Sequence, residues 1–319
     1  MRRALLLFAL AAALPARAQE PTLAWPVDCR IGQDCFIEDY VDQDPEPGRQ
    51  RDFACGYNAR DAHRGTDIAL LSFDAIDEGV AVRAAAAGRV LRTRDSMADD
   101  RLMRGVTNQN ACGNAVLIDH GGGWQTMYCH LRRGSVAVRP GEPVEPGTPL
   151  GLIGLSGQTN HPHLHLTVTK DGAVVDPFRP AADPGTCGEP GETLWQDPPT
   201  YVKTGLVTAG FSTAVPEFEA IRDGSARAEY GAPALPLVVY ALMAFAQQGD
   251  VLELSAAGPK GEIFRHSVVI ETTQNSSFQA YGRKAPPAGW PLGEYLGEAL
   301  LTRDGTVIAH RFAHIDLRP

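Results

Sequence analysis

HPHLHLTVTK, residues 161–170, is the stretch on which the reading of this chain turns. Written as a β-strand, its side chains alternate between two faces. His163, His165, Thr167 and Thr169 then point one way, and Leu164, Leu166 and Val168 point the other way into a core. Two imidazoles would project side by side from one rigid sheet face, which holds ligand or proton-transfer geometry better than a loop. Pro162 biases His161 toward an extended backbone, which leaves that residue open as groove-lining, substrate-contacting or solvent-facing. Taken alone, the H-x-H spacing also fits surface histidines. Its meaning depends on which other groups can reach it.

Two other stretches carry suitable chemistry. His63-Arg64-Gly65-Thr66-Asp67 precedes the apolar run IALL, so it reads as a turn entering a strand. Gly65 would let the backbone fold so that His63 and Asp67 face one point, and imidazole and carboxylate are both zinc ligands. An ordinary polar turn is the plainer reading of this motif. In WQTMYCHL, residues 124–131, alternation places Trp124, Thr126, Tyr128 and His130 on one face. By itself His130 reads as a hydrogen-bonded structural histidine.

Working outward, 33 glycines and 24 prolines break the chain into short segments with β-branched residues or alternating polarity, which predicts a mainly β protein. Residues 19–62 read as irregular and acidic. VAVRAAAAGRVLRTR reads as two short strands around Gly88, and residues 95–111 as a long polar loop. NAVLIDHGGGWQTMYCHL reads as a hairpin turning at Gly121–Gly123, and HPHLHLTVTKDGAVVDP as another turning at Asp171-Gly172. Residues 183–199, rich in Pro, Gly and acidic residues, read as a linker. Beyond it, residues 200–319 contain about seven strand-like runs with turn signals every ten residues or so. That spacing predicts a small β-sandwich of immunoglobulin-like type.

The first residues, MRRALLLFALAAALPARAQE, have a basic start, an apolar run of roughly a dozen residues and the small-x-small pattern Ala16-Arg17-Ala18. This predicts a signal peptide over residues 1–18. The run is short of the about twenty residues that span a bilayer, so the mature chain is expected to be soluble and either periplasmic or secreted. Removing the leader takes away Arg2, Arg3 and Arg17 and no acid, moving the formal charge from −9 to −12. Such an acidic chain is a poor match for nucleic acid. Six cysteines in an exported chain point to disulfides. No CxxC pair offers a cysteine zinc site. Cys29–Cys35 makes a short loop, Cys112 and Cys129 lie on the two arms of a hairpin, and Cys55 with Cys187 remain.

Taken in order, these motifs resemble the lysostaphin/LytM-type zinc endopeptidases, which cut peptide bonds in bacterial cell walls. The resemblance covers residues 61–178: HRGTD for H-x-G-x-D, AAAAGRV, GNAVLIDH, YCHL for Y-x-H-L, GEPVEPG, and His163-Leu164-His165 closing with VDP. Each piece is weak, and the ordered set is specific. Two departures stand out: His161-Pro162 replaces the usual Gly-Pro before H-L-H, and the insertion at 95–111 is long.

The resemblance implies an antiparallel β-sheet/barrel-sandwich metallopeptidase domain within residues 19–182. It implies that His63, Asp67 and His165 hold Zn²⁺, and that His130 and His163 flank the metal as catalytic groups acting on a peptidoglycan peptide. It also implies an alternative, since inactive LytM-like relatives regulate cell-wall amidases. In some relatives an upstream asparagine blocks the metal, a part Asn58 could play. RPGEPVEPGTPLGLIG is similar to lipoyl-domain turns but lacks a lysine at a hairpin tip. A fragment ending near Pro180 is expected to keep metal and some activity.

Overall fold

The computed structural model describes residues 20–183, 185–189 and 191–319; the anticipated signal peptide, residues 1–18, lies outside them. No helix among the described residues is long and apolar enough to cross a membrane. Two helices are described, α1 (Asp74–Glu78) and α2 (Phe218–Arg222), each of five residues; nearly everything else that is regular is strand.

The first unit is built on one antiparallel sheet. Its strands are β1 (Cys35–Asp39), β2 (Thr66–Leu70), β4 (Gly88–Arg94), β5 (Asn114–Gly121), β6 (Trp124–Leu131), β7 (Pro143–Val144), β9 (His163–Lys170) and β10 (Ala173–Val174). They are ordered β1-β2-β9-β6-β5-β4-β7, with β10 pairing β9. A separate ribbon joins β3 (Ala81–Arg83) to β8 (Pro149–Leu152). The mainly β expectation therefore holds, and the hairpin β9–β10 turns where expected. Asp171 and Gly172 have φ of 51° and 82°, the two positive values that a tight hairpin turn demands.

The core explains the alternation. Leu164, Leu166 and Val168 of β9 are buried with Tyr128 and Trp124 of β6, Val116 and Ile118 of β5 and Ile68 of β2. Burying side chains of this size contributes roughly 1.5–3 kcal/mol each, so slipping β9 by one residue would move its apolar set off the core. All three cysteine pairs anticipated from sequence are bonded: Cys29–Cys35, Cys55–Cys187 and Cys112–Cys129.

Two expectations need correction, and a third gains detail. Residues 19–62 are not irregular throughout, because Cys35–Asp39 is the edge strand of the main sheet, paired with β2. The Pro- and Asp-rich residues after Asp39 mask this short strand, and the Cys29–Cys35 bridge helps place its start. The segment read as a linker is packed instead. Leu194 and Trp195 are buried in the first core, Trp195 bridges Leu23, and Cys187 is bonded to Cys55. A chain cut near Pro180 would lose those anchors. The loop 95–111 is also tied down: Asp99 accepts from the Leu155 and Arg133 amides, and Asn114 accepts from the Met97 amide.

The second unit has two sheets sharing one core. One is β11 (Gly205–Ser212), β13 (Leu237–Ala246) and β16 (Gln274–Arg283), in that order. The other runs β12 (Tyr230–Gly231), β18 (Thr306–Leu317), β17 (Gly293–Arg303), β14 (Val251–Gly258) and β15 (Gly261–Val269). Its pairings are antiparallel except for the short β12–β18 contact. The two-layer β arrangement is present; an immunoglobulin-like relationship goes further than these sheets alone.

Strand β18 lies against the first unit. Phe312 meets Phe73 at 5.0 Å between ring centroids and His161 at 6.1 Å, and His310 meets Phe36 at 6.2 Å. Arg101 pairs with Glu294 at 2.6 Å.

Candidate metal centre

Strands β2 and β9 pair antiparallel, with Asp67 opposite His165 and Ala69 opposite His163. Residues opposite one another share a sheet face. That register, not helical spacing, brings the Asp of HRGTD to the second histidine of H-L-H. His63 sits just before β2 and reaches the same point. His63 Nε2 lies 3.1 Å from His165 Nδ1 and 3.1 Å from Asp67 Oδ2, and His165 Nδ1 lies 2.7 Å from Asp67 Oδ1. Tetrahedral ligands about 2.0–2.1 Å from zinc stand roughly 3.3 Å apart. The donor set therefore fits a zinc ion: two imidazole nitrogens and one carboxylate at nearly ligand spacing.

Surrounding groups fix the rings. His63 Nδ1 donates to the Tyr40 carbonyl at 2.7 Å, leaving Nε2 as a lone-pair donor to a metal. His165 Nε2 donates to Thr167 Oγ1 at 3.0 Å, leaving Nδ1 in the same condition. Such partners orient metal-binding histidines and raise their basicity. Gly65 is required for packing: a Cβ there would lie 2.6 Å from the Leu166 carbonyl and 2.7 Å from His165 Nε2. The glycine permits the close approach of β9, which is a different service from the turn freedom expected of it.

His130 and His163 face each other beside this trio, with ring centroids 4.7 Å apart. His163 Nδ1 is 3.1 Å from the His161 carbonyl and 3.2 Å from Thr159 Oγ1. His130 Nδ1 donates to the Ser156 carbonyl at 2.8 Å. Each ring thus spends Nδ1 on the scaffold and keeps Nε2 free, and His163 Nε2 is 3.6 Å from Asp67 Oδ2.

The face assigned to His130 by alternation is incorrect. Tyr128 pairs opposite Leu166 on the core face, whereas Cys129 pairs opposite His165 on the site face. Strict alternation would return residue 130 to the core side. Its φ of 63° turns it back toward the site. For a non-glycine residue this left-handed backbone costs about 1–2 kcal/mol. It is held by His130 N–H donating to the Cys112 carbonyl at 2.9 Å and by Gly154 N–H donating to the His130 carbonyl at 3.0 Å. Strain of this kind gathers at functional positions.

Electrostatics divide the histidines. Burial lowers His130 well below the ordinary imidazole value, with His163 and His165 adding to the effect. Burial likewise brings His163 down to about 4, although Asp67 opposes it. Burial would also lower His63, but the adjacent Asp67 carboxylate outweighs it and the value is raised. Burial pushes Asp67 upward, yet His63, His163 and Arg60 together hold it well below the usual carboxylate range.

Sequence reasoning missed several neighbours. Arg60 pairs with Asp67 and, at 2.6 Å, with Asp39. His161 is buried, bonded to Glu38 and stacked on His163 at 4.5 Å, so the solvent-facing option fails. Asn58 donates its amide to the Val202 carbonyl at 2.9 Å, which commits it to the second unit's approach rather than to the metal ligands. Asp39 meets Asp67 only through a register shift between Ile37 and Asp39, which alternation does not reveal, and Arg60 had no signal at all. Two other donor groups are unsuited to a metal. Cys29 and Cys35 are joined to each other, and the Glu38–Asp39–Asp67 cluster is occupied by arginines. Beside His63 a groove of about 760 Å³ runs between residues 41–47 and 173–185, with Asp42, Asp61, Arg64 and Lys170 on its walls.

A mostly β domain with a two-histidine, one-aspartate centre and two flanking imidazoles defines a class of candidate metallopeptidase. Residues 61–177 match the model of Peptidase family M23. It is 33% identical over 104 residues to the cell division protein DipM of Caulobacter vibrioides, covering 33% of this chain and 16% of DipM. It is 31% identical over 117 residues to the peptidoglycan DD-endopeptidase ShyA of Vibrio cholerae, covering 37% of this chain and 22% of ShyA. The chain thus spans less than a quarter of the length of these relatives. Among solved structures, a zinc-containing peptidase from Vibrio cholerae aligns at 23% identity with a TM-score of 0.29, covering 44% of this chain and 39% of that one.

Proposed function

We propose that this chain is an exported zinc endopeptidase that hydrolyses a peptide bond of a peptidoglycan crosslink. The observation that carries the reading is the convergence of His63 Nε2, Asp67 and His165 Nδ1 beside two imidazoles whose Nε2 atoms are free. His63, Asp67 and His165 would hold the ion. When bound, zinc polarises a carbonyl and makes water a nucleophile near neutral pH.

The chain's own residues then have distinct tasks. With Nδ1 donating to Ser156, His130 presents an unprotonated Nε2 at neutral pH, since burial keeps the ring neutral. His163 does the same with its Nδ1 on the His161 carbonyl. One ring takes the proton of the attacking water and returns it to the leaving amine. The other can stabilise the oxygen on which charge develops only with its proton on Nε2, a tautomer open to His163 when its Nδ1 accepts from the Thr159 hydroxyl at 3.2 Å. A general acid–base group contributes about 10²–10⁴-fold. The groove beside His63, about 760 Å³, offers Arg64 and Lys170 to the carboxylates of a peptide stem and Asp42 and Asp61 to its ammonium groups.

The complete ligand set favours an enzyme over an amidase regulator, which could dispense with it. The three disulfides support an oxidising compartment outside the cytoplasm. We read residues 19–182 as the catalytic unit and 200–319 as an accessory sandwich. The strand orders β11-β13-β16 and β18-β17-β14-β15 support an immunoglobulin-like relationship for it. The test is mass spectrometry of purified wall fragments incubated with zinc-loaded protein, with and without a chelator. New chelator-sensitive peptide ends are expected. Fragments unchanged under both conditions would overturn the enzyme reading, and activation of an amidase by the His165→Ala variant would favour the regulator.

A further inference from the structure

The metal centre rests on a stack of charges that continues into the second unit. Strand β1 brings Asp39 opposite Asp67, and Glu38 precedes it. Glu38, Asp39 and Asp67 are all buried, with carboxylate oxygens within 4.8 Å of one another. Three anions at that spacing, away from water, repel strongly unless cations lie between them. Arg60 is one such cation, bridging Asp39 and Asp67. The other is Arg311, on β18.

Arg311 is a built contact, not a surface pairing. Its side chain is 11% exposed, and its guanidinium reaches Glu38 Oε1 at 2.5 Å and Asp39 Oδ1 at 2.8 Å. Its Nε donates to the Leu206 carbonyl at 3.0 Å, which pins it to β11 of its own unit. The other oxygen of Glu38 accepts from His161 Nε2, and His161 stacks on His163. Two chains of contact therefore leave one guanidinium. One runs through Asp39 and Arg60 to Asp67. The other runs through Glu38 and His161 to His163.

We infer that Arg311 is a positioning residue for the metal centre, so that the C-terminal sandwich completes the site instead of merely accompanying it. This rests on the zinc reading above. Arg311 neutralises Asp39 and Glu38 together, which leaves Arg60 free to brace Asp67 and leaves His161 braced against His163. Outer partners of metal ligands affect metal affinity by about 10–100-fold.

The experiment uses the full chain. Zinc affinity is measured by competition with a chromophoric chelator, and ligand geometry by the visible spectrum of the cobalt-substituted protein. Arg311→Met is expected to weaken zinc binding about 10–100-fold and alter the cobalt bands. Arg311→Lys, which keeps the charge but loses the two-oxygen fork, is expected to fall between. Arg101→Met breaks the part-buried pair with Glu294, which shares no partner with Glu38, Asp39 or Arg311, and is expected to bind zinc within about 2-fold of wild type, as sites without shared partners act nearly independently.

An Arg311→Met protein that binds zinc as tightly as wild type, or more tightly, overturns the inference. So does an equal loss in Arg101→Met, which would mean that any loosening of the interface suffices. If Arg311→Met fails to fold, Asp39→Asn cuts the same chain from the other end while Glu38 still holds Arg311. Weakened zinc binding is expected there, and unchanged binding again overturns the inference. A wild-type protein that takes up no zinc removes the functional reading and this inference with it. Tight wild-type binding with an indifferent Arg311 removes this inference alone.

Discussion

Replacing Cys112 and Cys129 together by alanine separates two things that one bridge does. The bond closes a segment with a sequence separation of 17. The loop-entropy relation for a loop of that length gives about 3 kcal/mol of stabilisation. Cys129 also stands next to His130, and the Cys112 carbonyl accepts the His130 N–H. The bridge therefore clamps both sides of a backbone conformation that itself costs about 1–2 kcal/mol. Without it, His130 can relax toward an extended backbone and turn its ring away from His163. Asp67 and His165 are on β2 and β9, with His63 just before β2, and those strands are joined by their own registered pairs without the bridge. Urea unfolding followed by tryptophan fluorescence should show a loss of about 3 kcal/mol. Three of the four tryptophans, Trp25, Trp124 and Trp195, belong to the first core. Hydrolysis should fall at least about tenfold, while zinc affinity stays near wild type. A stability loss under about 1 kcal/mol would refute the loop argument. Zinc affinity falling in step with activity would refute the assignment of the bridge to His130.

Three further outcomes are expected. His63→Ala or His165→Ala should lose tight zinc binding, whereas His130→Ala and His163→Ala should keep zinc and lose about 10²–10⁴-fold in turnover, measured by equilibrium dialysis and crosslink hydrolysis. Gly65→Ala should weaken zinc binding and lower stability by about 1–3 kcal/mol, because the new methyl group meets the Leu166 carbonyl and His165; melting curves and dialysis check both. Burial pushes the Asp176 carboxyl up to about 7, against the bonds from Phe178 N–H and Gln43. The folded state then holds a proton that the unfolded state releases near 4, so stability should fall as pH rises from about 4 to about 7. Asp176→Asn should flatten that slope, and urea midpoints that do not differ in pH dependence between the two proteins would count against it.

Much of the site is readable from local pattern, and the unreadable parts share a cause. Strand β9 announces itself because leucine and histidine alternate with the pleat, and one face must enter the core. The turn at Asp171-Gly172 is equally local. His130 defeats the same rule, because alternation presumes an extended backbone and its φ is 63°. Strand β1 is hidden by brevity and by the acidic, proline-containing residues that follow. Arg60 and Arg311 leave no pattern, since a charged residue looks the same in sequence whether solvated or paired. Arg311 finds Asp39 across 272 residues, a distance over which no periodicity carries information.

The β2–β9 pairing also sets the order of events during folding. Asp67 and His165 are separated by 98 residues, so β2, buried at every position, must wait for most of its unit before its second neighbour, β9, exists. Pairings of such range are slow to form, and the Cys55–Cys187 bond, across 132 residues, joins the same late stage. Until then TDIAL, paired on one side with β1, keeps its other edge open to intermolecular pairing. An intermediate lacking that strand pair has only part of the ligand set, so the appearance of tight metal binding during refolding would time the closing step of the fold.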